Sequence, residues 1–220
     1  NLKIVLDLHK AAGYVFDDAA YCGLFTDTKL QDIFVDLWVE ITKRYAKYSD
    51  FVSFELLNEI TKKETADIWN CIADRTIKAI RELNKDVKII IGGYYNSSIE
   101  GLTALEKPAD SNIVFTFHCY SPMIFTHQAA CWVPHPGTVS DYGRISHEIF
   151  GWDYDREFDY DGDIMDSSFF DRLFRQATAV SEKYDVPLYC GEYGVIDVAD
   201  VEGTLRWFAD IHAAFEKHNI

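Results

Sequence analysis

The stretch FVSFELLNEI, Phe51 to Ile60, decides how this chain is expected to fold. It is an apolar run that closes on an amide and a carboxylate. Val52, Phe54 and Leu56, with the flanking Phe51 and Leu57, have the near-continuous hydrophobicity of a strand buried on both faces, and Asn58-Glu59 stand where that strand should stop. Strands of this kind belong to parallel sheets covered by helices. Such folds keep their chemistry at the carboxyl ends of the strands.

Working outward, the same grammar repeats. LKIVLDL, Leu2 to Leu8, is a second β-branched strand that closes on His9, and residues 10 to 27 form a loop containing Gly and Asp. From Thr28 to Tyr48 the positions Leu30, Ile33, Phe34, Leu37, Trp38, Ile41 and Tyr45 recur every three or four residues, which predicts an amphipathic helix. After the organising strand, Thr61-Lys62-Lys63-Glu64 has the form of a capping box for a helix carrying Ile68, Ile72, Ile77, Ile80 and Leu83. Val87 to Ile91 is a short strand ending in Gly92-Gly93, and Ile113 to Cys119 is another. Phe170 to Tyr184 and Val201 to His218 read as helices, with a strand from Val186 to Cys190 between them that closes on Gly191-Glu192-Tyr193-Gly194. Strands alternating with helices imply parallel pairing with right-handed crossovers. Five strands fit either an open doubly wound sheet or part of a (β/α)8 TIM barrel. The barrel is favoured because polar residues close at least four strands and no Gly-rich phosphate loop follows the first.

The bulk composition narrows the function. At 220 residues and 48% hydrophobic, the chain can bury one sizeable core, and no linker argues for a second domain, so residues 1 to 220 read as a single catalytic domain. A formal net charge of −15 disfavours nucleic acid or an anionic membrane as partner, because both are bound through Lys and Arg clusters. A monomer is expected. The 13 Tyr and 5 Trp are generous even for a globular core; they can line a cleft for flat apolar faces, with core filling the favoured use for most of them. Cys22, Cys71, Cys119, Cys131 and Cys190 lack the paired spacing of a zinc or redox site, which predicts mostly buried free thiols, with a Cys22–Cys131 bridge left open. The first residue is Asn1, and a strand follows almost at once, so the compartment is undetermined; secretion would require a signal peptide preceding this stretch.

Glu59 needs a second carboxylate if it is to do acid–base work. Glu55 lies in the same strand, but four residues at ~3.3 Å each put it roughly 13 Å away, too deep for joint action. Glu192 closes its strand as Glu59 closes its own. Two carboxylates facing each other across a sugar are what glycoside hydrolysis requires. The alternative for each is a solvated strand-end residue or a structural ion pair.

Four motifs in order give this reading a family. DLH at Asp7 to His9, LNE at Leu57 to Glu59, HCY at His118 to Tyr120 and GEYG at Gly191 to Gly194 resemble the third, fourth, sixth and seventh strand ends of glycoside hydrolase family 5, the cellulase-type (β/α)8 enzymes. FTHQAACW, Phe125 to Trp132, is similar to endoglucanase-like members. The resemblance implies a retaining hydrolase of β-1,4-linked glucan or a related plant polysaccharide, with no cofactor. It implies Glu59 as acid/base, Glu192 as nucleophile, and Asn58 on the sugar 2-hydroxyl. Tyr120 would donate to Glu192, orienting it and helping keep it ionised, and His9 and His118 would line the sugar site. The family's second-strand arginine and eighth-strand tryptophan have no counterpart, so a fragment carrying about five of eight strands is expected, with unpaired edges exposed.

The segment from Ser121 to Ser167 reads as a long loop. Phe125, His127, Gln128, Trp132, Trp152 and Tyr154 are its candidates for contacts with further sugars, and packing against the fold is the competing use. Asp159, Asp161, Gly162 and Asp163 only faintly resemble a calcium loop, because the glycine is misplaced and Phe170 stands where a bidentate Glu is needed. Two rival functions follow. A metal-dependent barrel hydrolase would use His9, His118, Glu59 and Glu192 as ligands, and a non-catalytic carbohydrate-binding barrel would bind oligosaccharide without cleaving it.

Overall fold

The structure is a computed structural model that describes residues 2–18, 20–132 and 166–220. Its elements are β1 (Ile4–Asp7), the hairpin β2 (Lys10–Ala11) and β3 (Tyr14–Val15), α1 (Thr28–Tyr45), β4 (Val52–Glu55), α2 (Ala66–Leu83) and β5 (Lys88–Gly92). There follow the short turns α3 (Tyr94–Ser97) and α4 (Ile99–Leu102), then β6 (Ile113–Cys119), α5 (Met123–Thr126), α6 (Ser167–Tyr184), β7 (Leu188–Tyr193) and α7 (Val201–His218). The chain forms two compact units. The first comprises Asn1–Phe117 and Val180–Tyr189, the second His118–Ala179 and Cys190–Ile220.

The first unit is organised by a parallel sheet. Strand β4 pairs with β1 in the register Ile4↔Val52 to Asp7↔Glu55, and with β5 through Ser53↔Lys88 to Glu55↔Ile90. Strand β5 in turn pairs with β6 from Ile89↔Ile113 to Gly92↔Thr116. The order β1-β4-β5-β6-β7 follows the chain without reversal. A doubly wound sheet would reverse at a switch point, so this order belongs to the barrel type of winding, as the sequence suggested.

Two tryptophans lock the helices to the strand ends. The buried face of α1 is Gln31, Phe34, Trp38 and Thr42, and that of α2 includes Trp69, Ile72, Ala73, Thr76, Ile77 and Ile80. Trp38 donates its indole N–H to the Leu56 carbonyl at 3.2 Å, and Trp69 donates to the Gly92 carbonyl at 2.9 Å. Each ring therefore fills core volume and also satisfies a carbonyl just where a strand ends. Arg81 at the other end of α2 grips Asp110 through two hydrogen bonds of 2.6 and 2.9 Å and caps the Val87 carbonyl. That pairing holds the Asp110 carboxyl below its ordinary range.

Several sequence expectations change in detail. Phe51 is exposed, because it sits in the turn after Tyr48 and packs beside that ring rather than in β4. Ile33, Leu37 and Tyr45 also face solvent, which leaves a narrower apolar stripe on α1. Thr61 does not cap α2: a 3-10 turn, Lys63–Thr65, intervenes, and the Thr61 N–H is taken by the Tyr14 hydroxyl instead. Helix α1 is capped by Asp27, which accepts from the Lys29 N–H. All five cysteines are free thiols, but only Cys119 and Cys190 are buried, while Cys71 and Cys131 are exposed.

In the second unit, α6 and α7 meet through rings. Phe174 stacks on Phe215 at 5.1 Å, and Phe170 meets Trp207 edge-on at 5.7 Å. Trp207 donates its indole N–H to the Ser121 carbonyl at 3.0 Å, tying α7 to the segment just after β6. Asp171 on α6 receives Lys217 and His218 from α7, both at 2.8 Å, and Arg175 at 2.7 Å. Helix α7 starts on Asp200, which accepts from the Gly203 N–H, and stops at Asn219 in the left-handed conformation.

Candidate functional site

In the first unit the structure brings the predicted Asn58 and Glu59 to the end of β4, directly after the carbonyl that Trp38 holds. The Asn58 N–H donates to the Leu8 carbonyl at 3.1 Å, so this segment runs on beside the end of β1 after regular pairing stops. Asn58 is 1% exposed, and among the described residues neither its amide oxygen nor its nitrogen has a hydrogen-bond partner. A buried amide with both ends unsatisfied is costly and uncommon. His9, expected at the sugar site, follows β1 as an exposed ring paired with Asp7 through Nδ1 and set edge-on to Phe16.

Glu59 has an unusual backbone. Its φ is +45°, the left-handed region that a non-glycine residue enters at a cost of about 1 kcal/mol or more. Two neighbours hold it there. Tyr14, on β3 and only 1% exposed, donates its hydroxyl proton to the Glu59 carbonyl at 2.6 Å and accepts from the Thr61 N–H at 3.2 Å. One oxygen thus ties the two peptide groups that follow the left-handed residue, on either side of Ile60. Burial pushes the Tyr14 hydroxyl up to about 12, so it stays a donor through the neutral range. The Asn96 N–H donates to the Ile60 carbonyl at 3.0 Å, and the Asn96 side-chain amide reaches Glu59 Oε2 at 3.4 Å.

Asn96 sits in a turn built for close approach. Tyr95, Asn96 and Ser97 are all left-handed, with φ of 49°, 54° and 56°. The preceding Gly93 lies against Gly101, and a Cβ placed on Gly93 would be 2.1 Å from the Gly101 carbonyl oxygen. Neither Tyr14 nor Asn96 stood out in the sequence. Asn in a YYN turn after Gly-Gly is a faint signal for left-handed backbone; Tyr14 had none beyond its place before an apolar residue.

In the second unit His118, Tyr120 and Glu192 come together. The Tyr120 hydroxyl donates to Glu192 Oε2 at 3.0 Å, and His118 Nδ1 lies 3.5 Å from the same oxygen. His118 is 7% exposed, whereas the Glu192 side chain keeps about a third of its surface open. Glu192 lies inside β7 rather than past its end, because the strand runs on to Tyr193. Buried thiols flank these groups. Burial raises Cys119 to about 12 and Cys190 well above its ordinary value, so both are neutral, and Cys190 donates weakly to the Glu192 carbonyl at 3.4 Å.

The loop after Tyr120 divides sharply. Phe125 and Gln128 are buried, and Gln128 donates to the Phe125 carbonyl, so neither presents a face to sugar; packing outweighs the ligand reading. His127 sits edge-on to the Tyr120 ring at 5.0 Å and pairs through Nδ1 with the Thr126 hydroxyl, which braces Tyr120 from behind. Trp132 is 69% exposed and offers an open indole. Trp152, Tyr154 and the acidic run Asp159 to Asp163 lie outside the described residues.

The fold and these strand ends define a class, the (β/α)8 glycoside hydrolases, of whose barrel sheet the described residues form five strands. Comparison makes the class specific. Residues 1–219 match the family model for cellulase, glycosyl hydrolase family 5, and the chain belongs to that family. It is 40% identical over 223 residues to cellodextrinase A of Ruminococcus flavefaciens, covering all of this chain and 61% of that protein. It is also 34% identical over 230 residues to endoglucanase C of Acetivibrio thermocellus, covering all of this chain and 66% of that protein. Among solved structures, endoglucanase Cel5A from the hyperthermophile Thermotoga maritima is 29% identical with a TM-score of 0.73, over 97% of this chain and 61% of that one. The chain therefore spans less than two thirds of the length of these relatives.

Proposed function

We propose that the protein carrying this chain is a retaining glycoside hydrolase of β-1,4-linked glucan, acting on soluble cello-oligosaccharide or the polysaccharide. The single observation that carries this reading is the carboxylate of Glu192 held at one oxygen by Tyr120 and faced by His118. A charge-assisted hydrogen bond from a phenol fixes the rotamer of an attacking carboxylate without consuming its second oxygen. The names of the relatives, a cellodextrinase and endoglucanases, support the glucan.

In this reading Glu192 attacks the anomeric carbon while Glu59 protonates the departing glycosidic oxygen. Water, deprotonated by the same Glu59, then attacks the anomeric carbon and breaks its bond to Glu192, freeing the sugar and regenerating both carboxyl groups. Asn58 hydrogen-bonds the sugar 2-hydroxyl, which gives its buried amide a partner that none of the described residues supplies. His9 and His118 line the sugar site, and the open indole of Trp132 is a platform for a further ring. The substrate class is polysaccharide or oligosaccharide, and no described helix is long and apolar enough to cross a membrane.

The test is reducing-end release from cello-oligosaccharides by the full-length protein and by its Glu192→Gln variant. Turnover by the first and none by the second is expected. Near-normal hydrolysis by the variant, or activity lost to a chelator and restored by a divalent cation, would contradict the reading.

A further inference from the structure

We propose that Tyr14 and Asn96 are the positioning residues for Glu59: together they fix its left-handed backbone, and the Asn96 amide aims its carboxyl at the departing oxygen. The inference rests on the reading of Glu59 as the proton donor and adds two residues that neither the motifs nor the comparisons assign. Glu59 leaves β4 with φ +45°, so its side chain does not inherit the direction that strand alternation would give it. Something else must set that direction. Tyr14 binds the backbone that leaves the residue, through the Glu59 carbonyl and the Thr61 N–H on either side of Ile60, while Asn96 binds the Ile60 carbonyl and the Glu59 carboxylate itself.

The arrangement is long-range and rigid. Tyr14 reaches Glu59 across 45 residues from a buried position on a two-strand hairpin, and Asn96 across 37 from a turn that the Gly93–Gly101 contact holds in place. A core tyrosine could bury its ring without placing its oxygen at 2.6 Å from this carbonyl. An asparagine chosen only for its left-handed turn would not need its amide turned toward Glu59.

Proton donation matters in proportion to how poor the leaving group is. A dinitrophenolate departs without a proton, whereas a sugar hydroxyl does not. Misaiming the donor should therefore damage the two reactions unequally, and a purely structural defect should lower both alike. The experiment measures kcat/KM, which reports the first bond cleavage, for dinitrophenyl β-cellobioside and for cellotetraose with the full-length protein. Asn96→Gly, which keeps the left-handed backbone, and Tyr14→Phe, which keeps the ring, are each expected to lose on the order of tenfold more on cellotetraose than on the activated substrate. Glu59→Ala is run in parallel. If Glu59→Ala discriminates between the substrates but both other variants lose activity in equal proportion on the two, or lose none, the positioning proposal is overturned. If Glu59→Ala itself shows no discrimination, the proton-donor reading fails first, and the proposal with it.

Discussion

Glu59 and Glu192 are held in opposite ways. Glu192 stands in a regular strand, so its backbone needs no help, and the protein grips its carboxylate through Tyr120 with His118 nearby. Glu59 stands past the end of its strand in a left-handed conformation, and Tyr14 and Asn96 hold the backbone that follows it, with the Asn96 amide also at its carboxylate. The difference matches the roles proposed. A nucleophile must present one oxygen along one line, and a side-chain hydrogen bond does that. A group that gives a proton and later takes one needs its oxygen held where the departing oxygen stands, and a fixed backbone supplies that position.

The comparison predicts a ranking of losses. Glu192→Gln is expected to lower kcat on the order of 10⁴-fold or more on every substrate, because no covalent intermediate can form; stopped assays on activated and natural substrates check it. Glu59→Gln is expected to cost about 10²- to 10⁴-fold on oligosaccharide and far less on dinitrophenyl β-cellobioside. An equal loss on both would erase the distinction between the two carboxylates. Tyr120→Phe removes the hydroxyl from Glu192 and should cost about 10- to 100-fold in kcat/KM irrespective of leaving group. A leaving-group-dependent loss there would mean that Tyr120 serves the proton donor instead.

The smallest expected effect concerns the helix pair of the second unit rather than its chemistry. Hydrogen bonding from Lys217 first, with His218 and Arg175, holds the Asp171 carboxyl well below its ordinary value. A carboxyl depressed on folding stabilises the protein above its unfolded pKa, about 4, and that contribution is lost as pH falls through the folded value. Asp171→Asn should therefore lower the thermal midpoint at neutral pH by a few degrees, and the gap from wild type should close below about pH 4. A gap that stays constant from pH 7 to pH 3 would contradict the ion-pair account.

Much of this was legible in the sequence because burial leaves a strong trace. FVSFELLNEI and Ile113 to Cys119 are apolar runs that form buried parallel strands, whereas LKIVLDL forms a strand at the sheet edge with Leu2, Ile4 and Val5 exposed. The same signal put Asn58 and Glu59 just past β4 and Tyr120 just past β6, where the structure has them, while His118 and Glu192 lie inside their strands. It overreached for Phe125 and Gln128, whose polarity and aromaticity suit a ligand face and a packed loop equally. It missed how Glu59 is held. A positive φ on glutamate has no local code, because glutamate is not chosen for that region, and the partners that enforce it come from a hairpin and a turn distant in the chain. The false capping box at Thr61 has the same origin: the Thr61 N–H that a local rule would leave for the helix is claimed by Tyr14.

The central claim, that Glu192 is the nucleophile of a retaining mechanism, is tested most directly by trapping. Full-length protein incubated with an activated 2-deoxy-2-fluoro-β-cellobioside should lose activity with time and gain one fluorocellobiosyl group by intact-mass measurement. Peptide sequencing should place that group on Glu192. Turnover of natural substrate with no trapped adduct, or an adduct on any other carboxylate, would contradict the account.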